Sequence, residues 1–452
     1  MRPTNCGYCS RLRNYALTPV QLGSQAECQN MTGIIMDNDV DHIRPLNQSP
    51  SGGIPVEEYF NLSFKALSIM GLRVNFENKN IVEVVKITKT MRLYLGFVMG
   101  IILVGPEVLF IVNSVEAGDS FMAIQALTHL FSNLVCLIKG IRIAALTSKV
   151  ENVYERIKMN WLRNNPGDEI REEVLRSAGK TVKACNTVKG IAIFTVISFA
   201  LLPLPEICGQ LVNRESINSS FEFSQRILLY RSPIEVNKPL NYLLIYIYDM
   251  YLISMYATYW FTCDSLFAQM TSHVSMQFKV LKHDVGALMN GRVSKEQLKN
   301  NFKNIVERHR ELLSICELIE NIFSPVLLGV VLFSSMAICV NVFELSEMIA
   351  QGKYIEAATN ASLNMVTLFQ IIFYCFFAEN LADATSEIGN ALYNCNWIEK
   401  DPKYGCYFQM IIIQSQRPFQ CTGMGFFIMD YPRLRLVLNT AVSYYMLLRT
   451  LN

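Results

Sequence analysis

Charge is scarce in this chain. Asp, Glu, Lys and Arg make up 17% of its 452 residues, where a soluble domain carries about a quarter. Hydrophobic residues make up 51%, so too few polar groups remain to give the whole molecule a water-facing surface. Net charge is also small, at a formal +2. The basic residues are scattered through several segments, which excludes the concentrated basic patch of a nucleic-acid binder. Neither a P-loop nor a G-x-G-x-x-G run occurs, so the glycine-rich nucleotide cradles are missing. Residues 1–54 contain no apolar run of seven. No secretory signal is visible there, and the first transmembrane helix is expected to direct insertion. Among thirteen cysteines, Cys6 and Cys9 form one C-x-x-C with no second pair or histidine at ligand spacing; a structural metal site needs four such ligands, so the pair is read as incidental. No motif calls for a cofactor. No internal repeat is evident, which disfavours a transporter built from repeats.

Long apolar runs are what the chain has instead. Seven can span a bilayer, near 91–113, 121–145, 190–212, 241–263, 322–343, 361–382 and 431–451, since about 20 helical residues cross roughly 30 Å of hydrocarbon. The expected fold is all-α, a seven-transmembrane helical bundle. Lys and Arg set its orientation. With the N-terminus inside, the inner segments 1–90, 146–189, 266–320 and 383–420 hold 9, 9, 8 and 3 basic residues, 29 of the chain's 40. The outer loops 114–120, 213–240 and 344–360 hold 0, 4 and 1. The N-terminus is therefore expected in the cytoplasm and the C-terminus outside, the reverse of a G-protein-coupled receptor. Those outer loops contain no cysteine, so no loop-to-loop disulfide is available there. Cys208 and Cys339 lie near outer span ends and could meet.

The segments between spans are patterned as well. Residues 1–54 are rich in Asn, Gln, Gly, Pro and Ser without helical periodicity and are expected to be disordered. Organised sequence, 55–452, begins with an amphipathic helix from Pro55 to Gly71, followed by a second short helix over 80–90. Residues 147–163 and 168–189 pattern as helices broken by Asn164-Asn165-Pro166-Gly167. The fourth span continues past the bilayer through Asp264, His273, Phe278 and Leu281. Ser294 with Gln297 resembles a capping box that opens a helix into the fifth span. Residues 402–416 form another apolar helix, stopped by Pro418. So many apolar faces outside the bilayer need burial against one another, which implies a helical cytoplasmic anchor region and oligomeric contacts.

Ionisable residues inside spans are expensive and mark functional or paired positions. Asp249 sits among Tyr242, Tyr246, Tyr248, Tyr251, Tyr256 and Tyr259; it either supports a pocket or pairs structurally. Glu206 lies beside Pro203 and Pro205, which open the helix there. Glu107, after Pro106, is read as structural. Lys139 and Arg142, at the inner end of the second span, are expected to snorkel to headgroups. Asn218 and Asn360 begin sequons in outer loops and are glycosylation candidates. Asp430-Tyr431-Pro432 is a helix start, because Asp caps free N–H groups and Pro has none to leave unpaired.

Several motifs together resemble insect odorant receptors. Ala391-Leu392-Tyr393-Asn394-Cys395-Asn396-Trp397, then Met410 to Pro418, then Thr422-Gly423 with Phe426-Phe427, then Ser443-Tyr444-Tyr445-Met446-Leu447-Leu448 match the family's C-terminal third. Asp264 to Leu281 and His309 through Glu320 to Ser324 fit the same family. The resemblance covers roughly residues 55–452; the extension 1–54 departs from it. It implies a tuning subunit of a heteromeric, odorant-gated, non-selective cation channel in the plasma membrane of a sensory neuron dendrite, and not an enzyme. Four subunits would surround one pore lined by the last helix, assembled as a heterotetramer with a coreceptor subunit. The coreceptor has a longer inner loop between spans four and five than this chain. Gustatory-type channels, whose last helix carries Gln-Phe, are the sister alternative; a G-protein-coupled receptor is disfavoured by topology.

The same resemblance implies where the ligand site and gate lie. Small volatile ligands would bind in the outer half of the bundle, between spans two, three, four and six. Ile124, Thr128, Phe131, Ser198, Leu202, Tyr248, Tyr251, Met255, Thr367 and Gln370 are the candidates, with ordinary helix packing as the alternative for each. Leu447 is the candidate gate, with Thr450 one turn outward on the same face. A ring of apolar side chains can close a pore by dewetting. The alternative has Leu447 packed on a neighbouring helix and Tyr444 or Met446 facing the lumen.

Overall fold

Helices supply nearly all the regular structure in the computed structural model. It describes residues 56–72, 83–164, 168–201, 203–204, 228, 230, 239–290, 295–394 and 411–451. Nine long helices run through them: α1 (Val56–Met70), α2 (Glu83–Glu116), α3 (Ser120–Ala145), α4 (Thr147–Arg163), α5 (Asp168–Leu201), α6 (Pro239–Asn290), α7 (Lys295–Ala350), α8 (Tyr354–Tyr393) and α9 (Tyr431–Leu451). Among the described residues the one extended pairing is an isolated bridge, Thr422 with Ile428.

Apolar periodicity explains the single-faced helices. α1 buries Val56, Tyr59, Phe60, Ser63, Ala66, Leu67 and Met70, the three-and-four spacing of an amphipathic stripe. α4 buries Val150, Val153, Tyr154 and Ile157 in the same way. The short helix expected over 80–90 is not separate: from Glu83 onward it continues into the first span as α2. Two hairpins, α2–α3 and α7–α8, close on left-handed glycines, Gly118 at φ 79° and Gly352 at φ 74°. At each, the next residue's N–H reaches back to close the helix end: Asp119 to the Ser114 carbonyl and Lys353 to the Met348 carbonyl, both at 2.9 Å.

Among the described residues, five helices contain segments long and apolar enough to cross a membrane: Leu93–Glu116, Ser120–Ala145, Ile170–Leu201, Asn300–Ala350 and Asn360–Tyr393. Five of the seven expected spans overlap them. The other two fall on α6, whose N-terminal part is rich in tyrosine, and α9, which carries Arg433, Arg435 and Arg449. Exposed apolar residues form outward stripes, as with Leu95, Val98, Ile102 and Leu109 on α2 and Ile193, Phe194, Ile197 and Leu201 on α5. A face of that kind needs an apolar solvent. The chain is a multi-pass membrane protein.

α6 has 52 residues and α7 has 56. At 1.5 Å per residue each is about 80 Å long, well over twice a bilayer core. Both therefore project beyond it. From Phe261 to Phe278, α6 is buried at every position, as expected of a helix surrounded on all sides. Helices α1, α5, α7 and α8 all pack around it. A large cluster joins Phe60, Leu67, Tyr154, Phe267, Phe278, Ile319 and Phe323. A second cluster, between α2, α3 and the N-terminal part of α6, holds Leu93, Leu103, Leu137, Leu252, Met255, Tyr256 and Tyr259. Helix α7 begins at Lys295, and Ser294 of the expected capping box lies outside the described residues. Of the helix expected over 402–416, residues 411–415 are described and are helical, and Pro418 follows.

Candidate functional site

Three parts of the bundle hold the residues singled out from the sequence. The first surrounds the N-terminal part of α6, where its tyrosines lie. The Tyr248 hydroxyl donates to the Met99 carbonyl of α2 at 3.2 Å, and the Tyr246 hydroxyl to the Ala200 carbonyl of α5 at 3.0 Å. Tyr248, Tyr251 and buried Met255 pack with Phe97, Val196 and Phe199, so α2, α5 and α6 meet there. Ile124, Thr128 and Phe131 lie half-buried on α3. Thr128 bonds back to the Ile124 carbonyl, and the Phe131 ring lies 6.0 Å from Phe333 of α7. Ser198 is exposed on α5. Thr367 is half-buried on α8 and bonds to the Leu363 carbonyl at 3.1 Å. Leu202, Glu206, Cys208 and Asn218 lie outside the described residues, and so do Cys6 and Cys9.

Asp249 and Glu107 are buried carboxylates in the same part of the bundle. Asp249 accepts a hydrogen bond from the Tyr230 hydroxyl at 3.1 Å. Glu107 is fully buried, and the Asn133 amide of α3 donates to its Oε1. Its Oε2 has no hydrogen-bond partner among the described residues, a state that costs about 1–3 kcal/mol when an acceptor is left dry. Asn360 is buried, and its side-chain carbonyl accepts from Asn364 at 3.2 Å.

The second part overturns the expected snorkelling of Lys139 and Arg142. Lys139 is 0% exposed and forms an ion pair with Asp264, itself 1% exposed. Asp264 also accepts from the Tyr374 hydroxyl at 2.5 Å and from the Gln370 amide at 3.1 Å. The Lys139 ammonium lies 5.3 Å from the centre of the Tyr374 ring and 5.9 Å from that of Trp260. A buried pair is tolerable when its remaining lone pairs are hydrogen-bonded, and here they are. The knot ties α3, α6 and α8 together, and Gln370, a ligand candidate by sequence, is part of it. Arg142 turns to protein too. Pro325 has no N–H to give the Asn321 carbonyl four residues before it. Arg142 fills the gap with Nη2 at 2.5 Å from that carbonyl and Nε at 3.2 Å from the next, Ile322.

The third part is the last helix. The Asp430 side chain accepts from the Arg433 N–H at 2.8 Å, the N-cap geometry expected there. α9 packs on α7 and α8 through buried Val437 and Ala441, while Leu436, Val442 and Met446 are exposed. Leu447 and Thr450 lie on the following turn, and their side chains are outside the described residues.

On α6 beyond the fourth expected span, His273 is enclosed by Tyr59, Phe60 and Trp161, with ring centroids 5.1 to 6.0 Å away. Burial lowers its pKa to about 4, and does the same to His309. All seven described cysteines are free thiols, Cys339 among them. Among the described residues no group of three or more His, Cys, Asp or Glu could hold a metal ion. In the sequence Asp264, Glu320, Ser324 and Thr422 stand out only as motif members, because their partners are far away in the chain.

Comparison with known proteins gives this arrangement a context. A model of the family described as 7tm odorant receptor matches residues 121–442. Odorant receptor 45a of Drosophila melanogaster is 28% identical over 227 residues, 48% of this chain and 57% of its own length. The chain thus spans little more than half of that relative. Odorant receptor 13a of the same fly is 20% identical over 361 residues, 75% of this chain and 82% of its own length. The odorant receptor coreceptor of Anopheles gambiae is 24% identical over 161 residues, 35% and 33% of the two chains. The structure of the olfactory receptor OR5 from Machilis hrabei superposes with a TM-score of 0.72 at 17% identity, covering 88% of this chain and 99% of that one. Its complex with eugenol gives 0.70 at 16% identity, covering 88% and 98%.

Proposed function

This chain belongs to the 7tm odorant receptor family, and we propose that it is the tuning subunit of an odorant-gated, non-selective cation channel. The family is one of receptors and not an enzyme class. The observation that carries the proposal is the family match across residues 121–442, which runs from the second expected span into the last helix. Assembly with a coreceptor as a heterotetramer is part of the reading, supported by coreceptors among the relatives. The inner segment between the fourth and fifth expected spans, residues 264–321, fits a tuning subunit, since the coreceptor is expected to carry a longer inner loop there.

The ligand is a small volatile with a mostly apolar body, bound in the outer half of the bundle beside Tyr248, Tyr251 and Met255. Its binding shifts the population toward an open bundle only by the difference in its affinity for the open and closed states. The last helix lines the pore, and Leu447 closes it. The N-terminus lies in the cytoplasm and the C-terminus outside, a reading supported by the basic-residue bias toward the inner segments. The site of action is the plasma membrane of a sensory neuron dendrite.

Current recordings with and without a coreceptor, against a panel of volatile compounds, test this. Odorant-evoked cation current is expected only with the coreceptor. Equal current from the chain alone would favour a homomeric channel instead. Epitope tags should stain at residue 1 only after permeabilisation, and after Asn452 without it.

A further inference from the structure

The link into α9 is a built object. Cys421 to Met429 folds back on itself, with the Met429 N–H on the Cys421 carbonyl at 2.8 Å and the Gly423 N–H on the Phe427 carbonyl at 2.9 Å. The tip passes through two left-handed residues, Met424 at φ 51° and Gly425 at φ 76°. At position 423 a Cβ would lie 2.4 Å from the Phe427 ring, so only glycine fits. The Arg433 guanidinium lies 4.7 Å from the centre of that same ring, which fastens the hairpin to the first turn of α9.

Helix α7 grips this hairpin from the other side. The Glu320 carboxylate accepts from the Thr422 N–H at 3.0 and 3.1 Å and also from the Thr422 hydroxyl. Ser324, one turn further on, donates to the Thr422 carbonyl at 2.8 Å and accepts from the Met424 N–H at 2.6 Å. Every polar group of Thr422 is thus held by one face of α7. Hydrogen bonds to a carboxylate are among the stronger ones in proteins, and these cross about a hundred residues of sequence to join two helices.

We propose that Glu320 and Ser324 are positioning residues for gating: they clamp the Thr422 hairpin so that α7 and the start of α9 move as one body. The proposal rests on reading α9 as the pore helix. If ligand acts on the bundle through α7, release of the clamp leaves ligand able to bind but less able to open the pore. Mutations in such couplings change an equilibrium by between about two- and thirtyfold.

The full-length chain, expressed with coreceptor and compared at matched surface density, provides the test. Glu320→Gln removes the charge while keeping the shape, Thr422→Val removes the hydroxyl, and Thr422→Ser keeps it. Glu320→Gln and Thr422→Val should each lower the maximal odorant-evoked current within that range, with the half-maximal concentration for ligand-induced thermal stabilisation unchanged. Because both act on one contact, the double variant should be no worse than the weaker single. Thr422→Ser should behave as wild type. Hydrogen exchange at residues 420–437 should quicken in the Glu320→Gln chain. Unchanged maximal currents in both single variants, or fully additive losses, would overturn the gating role even if exchange quickens. Absence of odorant current from the wild type in the presence of coreceptor would instead count against the tuning-subunit reading, and this proposal would fall with it.

Discussion

Single residues decide how charge survives in this interior. Lys139 and Asp264 are stable because each supplies the other's charge, and Tyr374 and Gln370 complete the carboxylate's hydrogen bonds. Removing one partner leaves the other buried and unpaired, which costs about 3–5 kcal/mol. Lys139→Met is therefore expected to lower the thermal midpoint of the purified chain sharply. Lys139→Met combined with Asp264→Leu should recover most of that loss. No recovery in the double variant would show that the pair serves more than mutual neutralisation. The buried histidines outside the expected spans carry a pH signature. Burial puts both His273 and His309 near pKa 4 in the folded chain, against about 6.5 when unfolded. Between those values the unfolded state binds more protons, so stability is complete above about pH 6.5 and falls as pH drops toward 4. Melting curves at stepped pH should show that slope, and His273→Gln should flatten it. A slope unaltered in His273→Gln and in His309→Gln would assign the acid sensitivity elsewhere. The Asp430 cap was legible in sequence because its partner is three residues away. The Lys139 pair was not, because Asp264 lies 125 residues further on and nothing local distinguishes a paired lysine from one that reaches for headgroups.

Helices are where sequence and structure agree most. The apolar runs and their periodicity made α1, α4, the extension of α6 below the bilayer and the long entry into α7 legible. Periodicity says nothing about which helices touch at close range. Three glycines show what was hidden. A Cβ on Gly96 would lie 2.6 Å from the Tyr259 hydroxyl, and one on Gly100 would lie 2.7 Å from that of Tyr256. On Gly140 it would meet Tyr259 ring atoms at 2.7 and 2.8 Å and Phe97 at 2.9 Å. Two tyrosines of α6 thus lie over glycines of α2 and α3, whose small size lets the helices approach. Gly140 faces rigid ring atoms on two sides, so Gly140→Ala should destabilise the chain by about 1–3 kcal/mol through overpacking. Gly105 has nothing within 4 Å of its Cβ direction, so Gly105→Ala should be neutral or stabilise by about 0.4–1 kcal/mol. Thermal unfolding of both variants checks the contrast, and equal midpoints would mean that α6 yields easily at Tyr259. The helix expected over 80–90 merged into α2 because its pattern continues in phase into the span, and the pattern alone marks no break.

At the scale of the whole molecule, the described face of α9 bears on the gate. Val437 and Ala441 turn inward to α7 and α8, while Leu436, Val442 and Met446 stay open, so most of the helix surface is left for a lumen, lipid or neighbouring subunits. A closed pore needs one ring of apolar side chains narrow enough to expel water. The proposed ring is at Leu447. A polar side chain there lowers the dewetting barrier, so Leu447→Ser should raise ligand-free current in the channel assembled with coreceptor. The coreceptor's own apolar residues remain in the ring, so the increase should be partial and not a permanently open pore. Met446→Ser and Leu448→Ser point about 100° to either side on a helical wheel and should change resting current less. The measurement is ligand-free conductance at matched surface expression for the three variants. A larger effect at either neighbour, with resting current unchanged in Leu447→Ser, would place the constriction on another face of α9.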